Sequence, residues 1–253
     1  MQTHEYQNIF KNEGTHFYYL STHRLILHLI RKATKKRNLK ILDAGCGTGL
    51  FTKKLNKFGD VFGVDIHPEA IKLAKQRNIK VKKASINKLP FKSSTFDLIT
   101  TIDVLYHRSV NDRKAIQEFY RILKPGGILI IRVAAFNWLI TSHDKVVHTR
   151  KRFTKNQLQE LLTKNKFELN KISYVNFSLL FFVLITRFLE KIFPPRSLRS
   201  HLLSLPKSLN YLLIQLFSLE NSLLDILNFP FGVGIIAVCH KPNKGNNKMI
   251  PGH

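Results

Sequence analysis

Apolar and polar positions alternate along residues 1–175 in segments of two kinds. Short apolar runs end at acidic or small residues, and amphipathic stretches with apolar positions every three or four residues lie between them. The apolar runs predict strands at 39–43, 61–64, 79–83, 94–101, 128–133, 167–174 and, after a gap, 231–240. Strands that alternate with helices predict right-handed crossovers and an α/β fold with a mostly parallel sheet.

The amphipathic stretches predict the helices that cover this sheet. They lie at 15–32, 69–77, 111–123 and 154–164. Pro68 stands at the first turn of the second helix, and Thr154 can cap the fourth. The segment Lys124-Pro125-Gly126-Gly127 ends the third helix before the fifth strand begins.

A long segment, 175–228, separates the last two predicted strands. Its first part, Phe177 to Thr186, is nearly all apolar, but it is shorter than the roughly 20 residues that cross a bilayer. Two prolines at 194–195 break the chain, and 205–227 is a second leucine-rich helix. Two interpretations stay open: helices that pack on the domain or on another subunit, and an apolar cap that admits a lipid-like substrate or rests on a membrane.

These patterns divide the chain into five parts. They are an N-terminal helical cap (1–38), a core (39–175), an apolar helical insertion (176–230), the last core strand (231–241) and a polar tail (242–253).

Charge is the unusual feature of the composition. The 253 residues carry 41 Lys and Arg against 16 Asp and Glu, a net charge of +25. This favours an anionic partner, such as nucleic acid, an anionic membrane surface or a phosphorylated substrate, and a lysine-rich genome bias is the alternative. Two cysteines, Cys46 and Cys239, cannot form a disulfide framework, and residues 1–6 lack a signal-peptide pattern. Both features indicate a reduced, cytoplasmic setting.

The first strand ends at Asp43, and Gly45, Gly47 and Gly49 follow at alternate positions before a helix begins. Alternating glycines let the backbone turn tightly and let a ligand lie against it. Leu50 stands where a dinucleotide fingerprint places its third glycine. No Gly-Lys-Ser/Thr triplet of a phosphate-binding loop follows either.

The D-x-G-C-G-T-G segment at 43–49 resembles motif I of the class I S-adenosylmethionine (SAM)-dependent methyltransferases. The L-P-F segment at 89–91, the F-D pair at 96–97 and the R-x-L-K-P-G-G turn at 121–127 resemble the UbiE-like, type 11 group. The resemblance covers about residues 15–175 and the last strand. It implies a Rossmann-like, seven-stranded methyltransferase fold and SAM as the cofactor.

Asp65 ends the second strand, 22 residues after Asp43, where an acid can accept hydrogen bonds from both ribose hydroxyls. The resemblance implies further cofactor contacts from Asp43, Gly45, Cys46, Gly47, Gly49, Ile66, Ser85, Ile86, Thr101 and Tyr19. Ser85 stands where the family commonly has an adenine-binding aspartate, so this contact carries no charge. The aromatic segment at 16–19 either folds over the cofactor or simply caps the sheet.

Methyl transfer requires the acceptor atom, the methyl group and the sulfur to be aligned, and a base only where the acceptor must lose a proton. The candidate catalytic residues are His107, His143 and His148. His107 follows the fourth strand at the carboxyl edge of the sheet, where ligands bind. Asp103 and His107 both follow the fourth strand, but Tyr106 stands between them in the sequence, so no metal site is predicted from this pair.

The loop at 142–154 resembles the H-D…H-x-R-R-Y-T segment of a type 11 subgroup. Its two histidines, Asp144 and the three cations at 150–152 are expected either to bind a phosphate or carboxylate and supply a base, or to form a solvated basic loop.

We therefore predict SAM-dependent methyl transfer to a small or lipid-like acceptor, with anionic acceptors included. The alternatives are an RNA methyltransferase, prompted by the charge, and a non-catalytic SAM-binding or membrane-associated protein. The RNA alternative is less favoured because no N-P-P-Y-type motif follows the fourth strand. The predicted partners are the substrate, an anionic membrane surface and a second copy in a homodimer. The predicted location is the cytoplasm, free or peripheral on the membrane.

Overall fold

A computed structural model describes residues 3–140, 144, 146–192 and 205–243. The strands are β1 Leu39–Ala44, β2 Gly59–Asp65, β3 Lys80–Lys83, β4 Phe96–Ile102, β5 Leu123–Ala134, β6 Glu168–Val175 and β7 Gly234–His240. They form a seven-stranded sheet in the order β3-β2-β1-β4-β5-β7-β6. The pairs from β3 to β5 are parallel, and β7 is antiparallel to both β5 and β6. This confirms the predicted mostly parallel, Rossmann-like fold.

The boundary between the third predicted helix and β5 differs from the prediction. The strand begins at Leu123 rather than at residue 128, and Lys124 to Gly127 lie inside it. The pairing of β5 with β4 shifts there, because Leu123 faces Phe96 while Ile128 faces Leu98. Gly126 has a φ of 72°, which accommodates this irregularity. The predicted break is therefore a bulge within a paired strand.

Helices connect the strands and pack against the sheet. They are α1 Thr3–Asn12, α2 Phe17–Ala33, α3 Leu50–Leu55, α4 Pro68–Lys75, α5 Asp112–Ile122, α6 Lys155–Lys164, α7 Phe177–Ile192 and α8 Lys207–Leu223. The predicted helix from residue 15 begins later, at Phe17, because the His16 side chain accepts a hydrogen bond from the Tyr18 amide and caps it. A separate helix, α1, precedes His16 in the chain.

The insertion packs on the N-terminal cap. The ring of Phe217 in α8 stacks on that of Phe17 in α2, with 5.5 Å between centroids. The carboxylate of Glu220 accepts hydrogen bonds from the backbone amides of Phe177 and Ser178 and so satisfies the first turn of α7. These contacts position α7 and α8 beside the carboxyl edge of the sheet. No described helix combines the length and apolar character that crossing a bilayer requires.

Candidate active site

A cavity of about 910 Å³ lies at the carboxyl edge of the sheet. Its walls come from the turn after β1, the end of β2, the loops after β4 and β5, and helices α2, α7 and α8. Because parallel strands end at the same edge, these distant segments meet there, as in other open α/β sheets.

The glycine turn forms one wall of the cavity. The backbone amides of Gly45 and Cys46 donate to the carbonyl of Val64 at 2.8 and 2.9 Å, which ties the turn to β2. A Cβ on Gly45 would lie 2.2 Å from Val104, so the loop after β4 packs directly against this glycine. A Cβ on Gly47 would meet no atom within 4 Å, although its φ is 53°. Gly47 therefore leaves open space along the cavity wall.

Asp43 fixes the end of β1 beneath this turn. Its carboxylate accepts hydrogen bonds from the hydroxyls of Thr52, at 2.6 Å, and Thr100, at 2.9 Å. Burial raises the pKa of Asp43 to about 6, although both hydrogen bonds favour the charged form. Asp43, one of the predicted cofactor residues, also lines the cavity.

Asp65 lies on the cavity wall at the end of β2. Its two oxygens accept hydrogen bonds from the backbone amides of Gly47, at 3.0 Å, and His67, at 2.9 Å. Burial raises the pKa of Asp65, and the two backbone hydrogen bonds oppose this effect. Each carboxylate oxygen has a second lone pair, so the oriented group can still accept hydrogen bonds from a ribose.

Glu13, which the sequence did not single out, also lines this end of the cavity. The carboxylate accepts a hydrogen bond from the hydroxyl of Thr48 in the glycine turn and forms an ion pair with Arg77 at 2.8 Å. Burial raises the pKa of Glu13 to about 7, against the effects of Thr48 and Arg77. The only available signal was its place beside the aromatic segment at 16–19.

The side chains of Ile66 and Ile86 line the cavity next to Asp65, together with Ser85. Ser85 accepts a hydrogen bond from the amide of Asn87 at 3.2 Å, which leaves its hydroxyl proton free to donate. The ring of Tyr6 in α1 stacks on that of His67 at 4.5 Å between centroids. Helix α1 therefore covers this end of the cavity, a contribution that the sequence did not predict.

The predicted cofactor residues do not all reach the cavity. Cys46 and Tyr19 line it, but Gly49 and Thr101 do not. Gly49 is the N-cap of α3 with a φ of 84°, and a Cβ there would lie 2.4 Å from Ile79, so the chain packs tightly at this glycine. Thr101 is fully buried in β4. Because neighbouring strand residues point to opposite faces, Thr101 points away from the side on which the Thr100 hydroxyl reaches Asp43.

Beyond the glycine turn, a buried ion pair holds the loop after β4. Asp103 has a φ of 58° and pairs with Arg132 of β5, which is buried. The same carboxylate accepts a hydrogen bond from the Tyr18 hydroxyl at 3.2 Å, and Arg132 also donates to the Asn176 side chain at 2.9 Å. Asp103 is thus engaged by a cation. Within the described ranges, no group of three or more His, Cys, Asp or Glu side chains could hold a metal ion.

The three candidate histidines have different surroundings. His107 lines the cavity, and its buried Nδ1 has no hydrogen-bond partner in the described part of the chain. Burial lowers the pKa of His107, which keeps the ring neutral near neutral pH. His148 also lines the cavity but is exposed. His143 lies outside the described residues.

The three cations at 150–152 do not form a free anion site. Arg150 and Lys151 both pair with Asp112, at 3.5 and 2.5 Å. Arg152 makes two hydrogen bonds to Asp144, at 3.0 and 2.8 Å. The expectation that these cations bind a phosphate or carboxylate is therefore not supported, because each of them already faces an acid. Arg108, which is exposed, also lines the cavity.

The insertion supplies an apolar end to the same cavity. Leu179, Phe182 and Val183 of α7 and Leu209 and Leu213 of α8 line it. Leu139 and Val147, from the chain after β5, contribute to the same apolar surface. The cavity thus joins an acidic, glycine-lined end to an apolar end.

Residues 42–131 match the family model of the type 11 methyltransferase domain. Residues 42–131 therefore form a class I SAM-dependent methyltransferase domain of type 11. This confirms the predicted family and its cofactor, SAM. The matched region of this methyltransferase domain extends from β1 through most of β5 and contains the glycine turn, Asp65 and His107.

Curated relatives of the methyltransferase domain act on different acceptors, according to their names. A demethylmenaquinone methyltransferase of Lactiplantibacillus plantarum is 34% identical over 130 residues, covering 46% of this chain and 52% of that protein. A tRNA (carboxymethyluridine(34)-5-O)-methyltransferase of Arabidopsis thaliana is 39% identical over 97 residues, covering 38% of this chain and 24% of that protein. The chain spans about half or less of the length of the curated relatives that it matches.

Solved structures share the fold over most of the chain. A possible histamine N-methyltransferase from Thermotoga maritima superposes with a TM-score of 0.61 at 21% identity. The superposition covers 94% of this chain and 95% of that one. At this identity the likeness shows the fold alone.

Proposed function

We propose that this protein transfers a methyl group from SAM to a small, lipid-like acceptor. The observation that carries the proposal is the single cavity with two chemically different ends. The carboxylates of Glu13, Asp43 and Asp65 lie beside the glycine turn, and the side chains of α7 and α8 form the opposite, apolar walls.

The acidic end suits the charge of the cofactor. SAM supplies a methyl group already activated on a sulfonium cation, and its amino-acid tail carries an ammonium group. In a chain with a net charge of +25, three carboxylates, Glu13, Asp43 and Asp65, line this end of the cavity. Buried carboxylates whose pKa values are raised by desolvation gain from a cation placed beside them.

The residues at this end have separate binding roles in the proposal. Asp65, oriented by two backbone amides, accepts the hydrogen bonds of the ribose. Ile66 and Ile86 flank the adenine, and Ser85 donates to it. Glu13 accepts a hydrogen bond from the ammonium group of the cofactor, because its carboxylate lies against the turn residue Thr48.

The middle of the cavity holds the groups that can assist transfer. Methyl transfer is mainly a problem of alignment, and rigid walls that hold both ligands supply it. Tyr18, Tyr19 and Tyr106 line this region and exclude water from it. His107, neutral near neutral pH, is the proton acceptor for an acceptor group that must lose a proton.

The apolar end determines the class of acceptor. Its leucine, valine and phenylalanine side chains favour a hydrocarbon group by the area they remove from water. Because the cations at 150–152 are paired, recognition of an anionic group on the acceptor falls to Arg108 and His148.

Transfer of a labelled methyl group tests this proposal. The protein is incubated with methyl-labelled SAM and a cell extract, and the label is followed into organic-soluble, nucleic-acid and aqueous fractions. We expect label in the organic-soluble fraction, less label with Asp65→Asn, and no loss with Asp60→Asn, a substitution of an exposed aspartate at the start of β2. SAM binding without transfer into any fraction would instead favour a non-catalytic SAM-binding protein.

RNA methylation is the second candidate. The Arabidopsis tRNA relative and the net charge of +25 favour it. It predicts label in the nucleic-acid fraction and tRNA binding whose affinity falls steeply with salt. The cytoplasmic and peripheral-membrane settings remain predictions under both candidates.

A further inference from the structure

Helices α7 and α8 are apolar on more than one side. α8 buries Leu213, Ile214 and Phe217 against the N-terminal cap. A neighbouring side of α8 exposes the regularly spaced residues Leu209, Leu212, Leu216, Leu219 and Leu223. α7 exposes a matching row, Phe181, Leu184, Ile185, Phe188 and Ile192. We call these two rows the α7–α8 face. A helix that is apolar all round is normally covered by protein or by lipid.

This face continues into the cavity. Phe182 and Leu209 line the cavity and are nevertheless 48% and 40% exposed, so they lie at its rim. Leu179 and Leu213, deeper on the same two helices, are part of the cavity wall. A molecule that approaches along the α7–α8 face therefore meets apolar surface from the outside of the protein to the apolar end of the cavity.

Charge indicates what covers this face. Residues 176–230 contain five Lys and Arg and only three acids. Two of the acids are already engaged, since Glu220 caps α7 and Asp225 pairs with His28 and Lys32. The remaining balance is positive, and Lys207 begins α8 beside the exposed leucines. A second copy of a chain with a net charge of +25 is repelled, whereas an anionic lipid surface attracts it.

We propose that the α7–α8 face docks on an anionic lipid bilayer and that the acceptor enters the cavity from the bilayer past Phe182 and Leu209. Apolar side chains insert at the boundary between headgroups and acyl chains, and nearby cations bind the headgroups. The docking stands on the exposed face and the charge. The passage of an acceptor also rests on the proposed methyltransferase function.

Co-sedimentation with vesicles tests the docking. One set of vesicles is phosphatidylcholine alone, and the other is an equimolar mixture with phosphatidylglycerol. We expect binding to the mixed vesicles, weaker binding at high salt, and little binding to phosphatidylcholine alone. The double substitution Leu212→Gln, Leu219→Gln should weaken binding about tenfold or more, because both side chains are 63% exposed in the docking face.

The matched control is Leu212→Met, Leu219→Met, which keeps both positions apolar and should bind like the wild type. Binding that is equal in the glutamine and wild-type proteins would overturn the proposal, since the charge alone would then explain it. A second result would also overturn it: a wild type that is a dimer in sedimentation velocity and does not bind vesicles, beside a glutamine variant that is a monomer. SAM calorimetry on the same proteins separates the two claims: absent SAM binding refutes the function, and absent vesicle binding refutes only the docking.

Discussion

The hydroxyl of Thr48 donates a hydrogen bond to the carboxylate of Glu13, 35 residues earlier in the chain. Thr48 belongs to the glycine turn, and Glu13 lies between α1 and α2. Arg77, just after α4, holds the same carboxylate through an ion pair and donates to the carbonyl of Phe10. The N-terminal cap is therefore fastened to the cofactor end of the cavity by buried polar side chains.

Glu13 should make stability depend on pH. Its folded-state pKa of about 7 lies above the ordinary value of 4.5, so the folded protein binds more protons than the unfolded chain between these values. The free energy of unfolding therefore falls as the pH rises through this window, by roughly 3 kcal/mol from this group. Glu13→Gln removes this pH-dependent contribution. The melting temperature of the variant should therefore increase relative to that of the wild type as the pH rises.

The comparison uses thermal melts of both proteins from about pH 5 to about pH 8. Asp43, whose pKa is also raised, is present in both and cancels in the difference. Glu160→Gln, at an exposed position on α6, is the control and should run parallel to the wild type. A constant offset between Glu13→Gln and the wild type at every pH would contradict the raised pKa.

Asp65 should contribute strongly to SAM affinity. Asp65→Asn keeps the size of the side chain but replaces one acceptor oxygen with an amide donor, which also faces the Gly47 or His67 amide. Hydrogen bonds to a charged group contribute about 1.5–3 kcal/mol, so the Kd should rise about tenfold to a hundredfold. Calorimetric titration measures it, with Asp60→Asn as control. If both substitutions change the Kd for SAM equally, Asp65 does not bind the cofactor.

The buried pair of Asp103 and Arg132 should be costly to break from one side. Arg132→Met leaves the Asp103 carboxylate without its cation, which should lower the free energy of unfolding by about 3–5 kcal/mol. The double variant Asp103→Asn, Arg132→Met removes the charge that is left behind and should regain part of the loss. Urea denaturation measures both. A double variant less stable than the single one would show that the uncompensated charge is not the cause.

His107 should affect turnover more than cofactor binding. His107→Asn should lower kcat by about a hundredfold or more if the acceptor must lose a proton, with little change in the Kd for SAM. The limb of the pH–rate profile that reports deprotonation of a base should also disappear. His148→Asn, at an exposed position on the same cavity, is the comparison. If His148→Asn alone removes that limb, His148 is the base.

The sheet and the cofactor end were predictable because their signals are local. The strands lie close to the positions that the apolar runs predict. Asp43, Gly47 and Asp65 belong to one strand–turn–helix–strand unit, whose spacing is set by the fold. Tyr6 and Glu13 were missed because α1 and the residues just after it carry no motif and join the site only by tertiary packing. Thr101 does not line the cavity, because strand alternation turns its buried side chain away from the face of Ile102, which does line it.

The acceptor end was less predictable for a similar reason. The three cations at 150–152 form a conspicuous cluster in the sequence, but their partners, Asp112 and Asp144, are found only in the folded chain. The apolar insertion left two interpretations open because periodicity does not show which side of a helix is covered. In the structure α8 packs on the N-terminal cap with one side and exposes a neighbouring one.

Calorimetric titration of SAM into the wild type and Gly47→Ala tests most directly whether the cavity holds the cofactor against the glycine turn. Gly47 lines the cavity, and a Cβ there meets no protein atom within 4 Å, although its φ of 53° puts some strain on an alanine. Gly14→Ala, also unobstructed, lies outside the cavity. The account predicts that the wild type and Gly14→Ala bind SAM alike, and that Gly47→Ala stays folded but binds at least about tenfold more weakly. Equal binding by Gly47→Ala and Gly14→Ala, or no binding by the wild type, would contradict it.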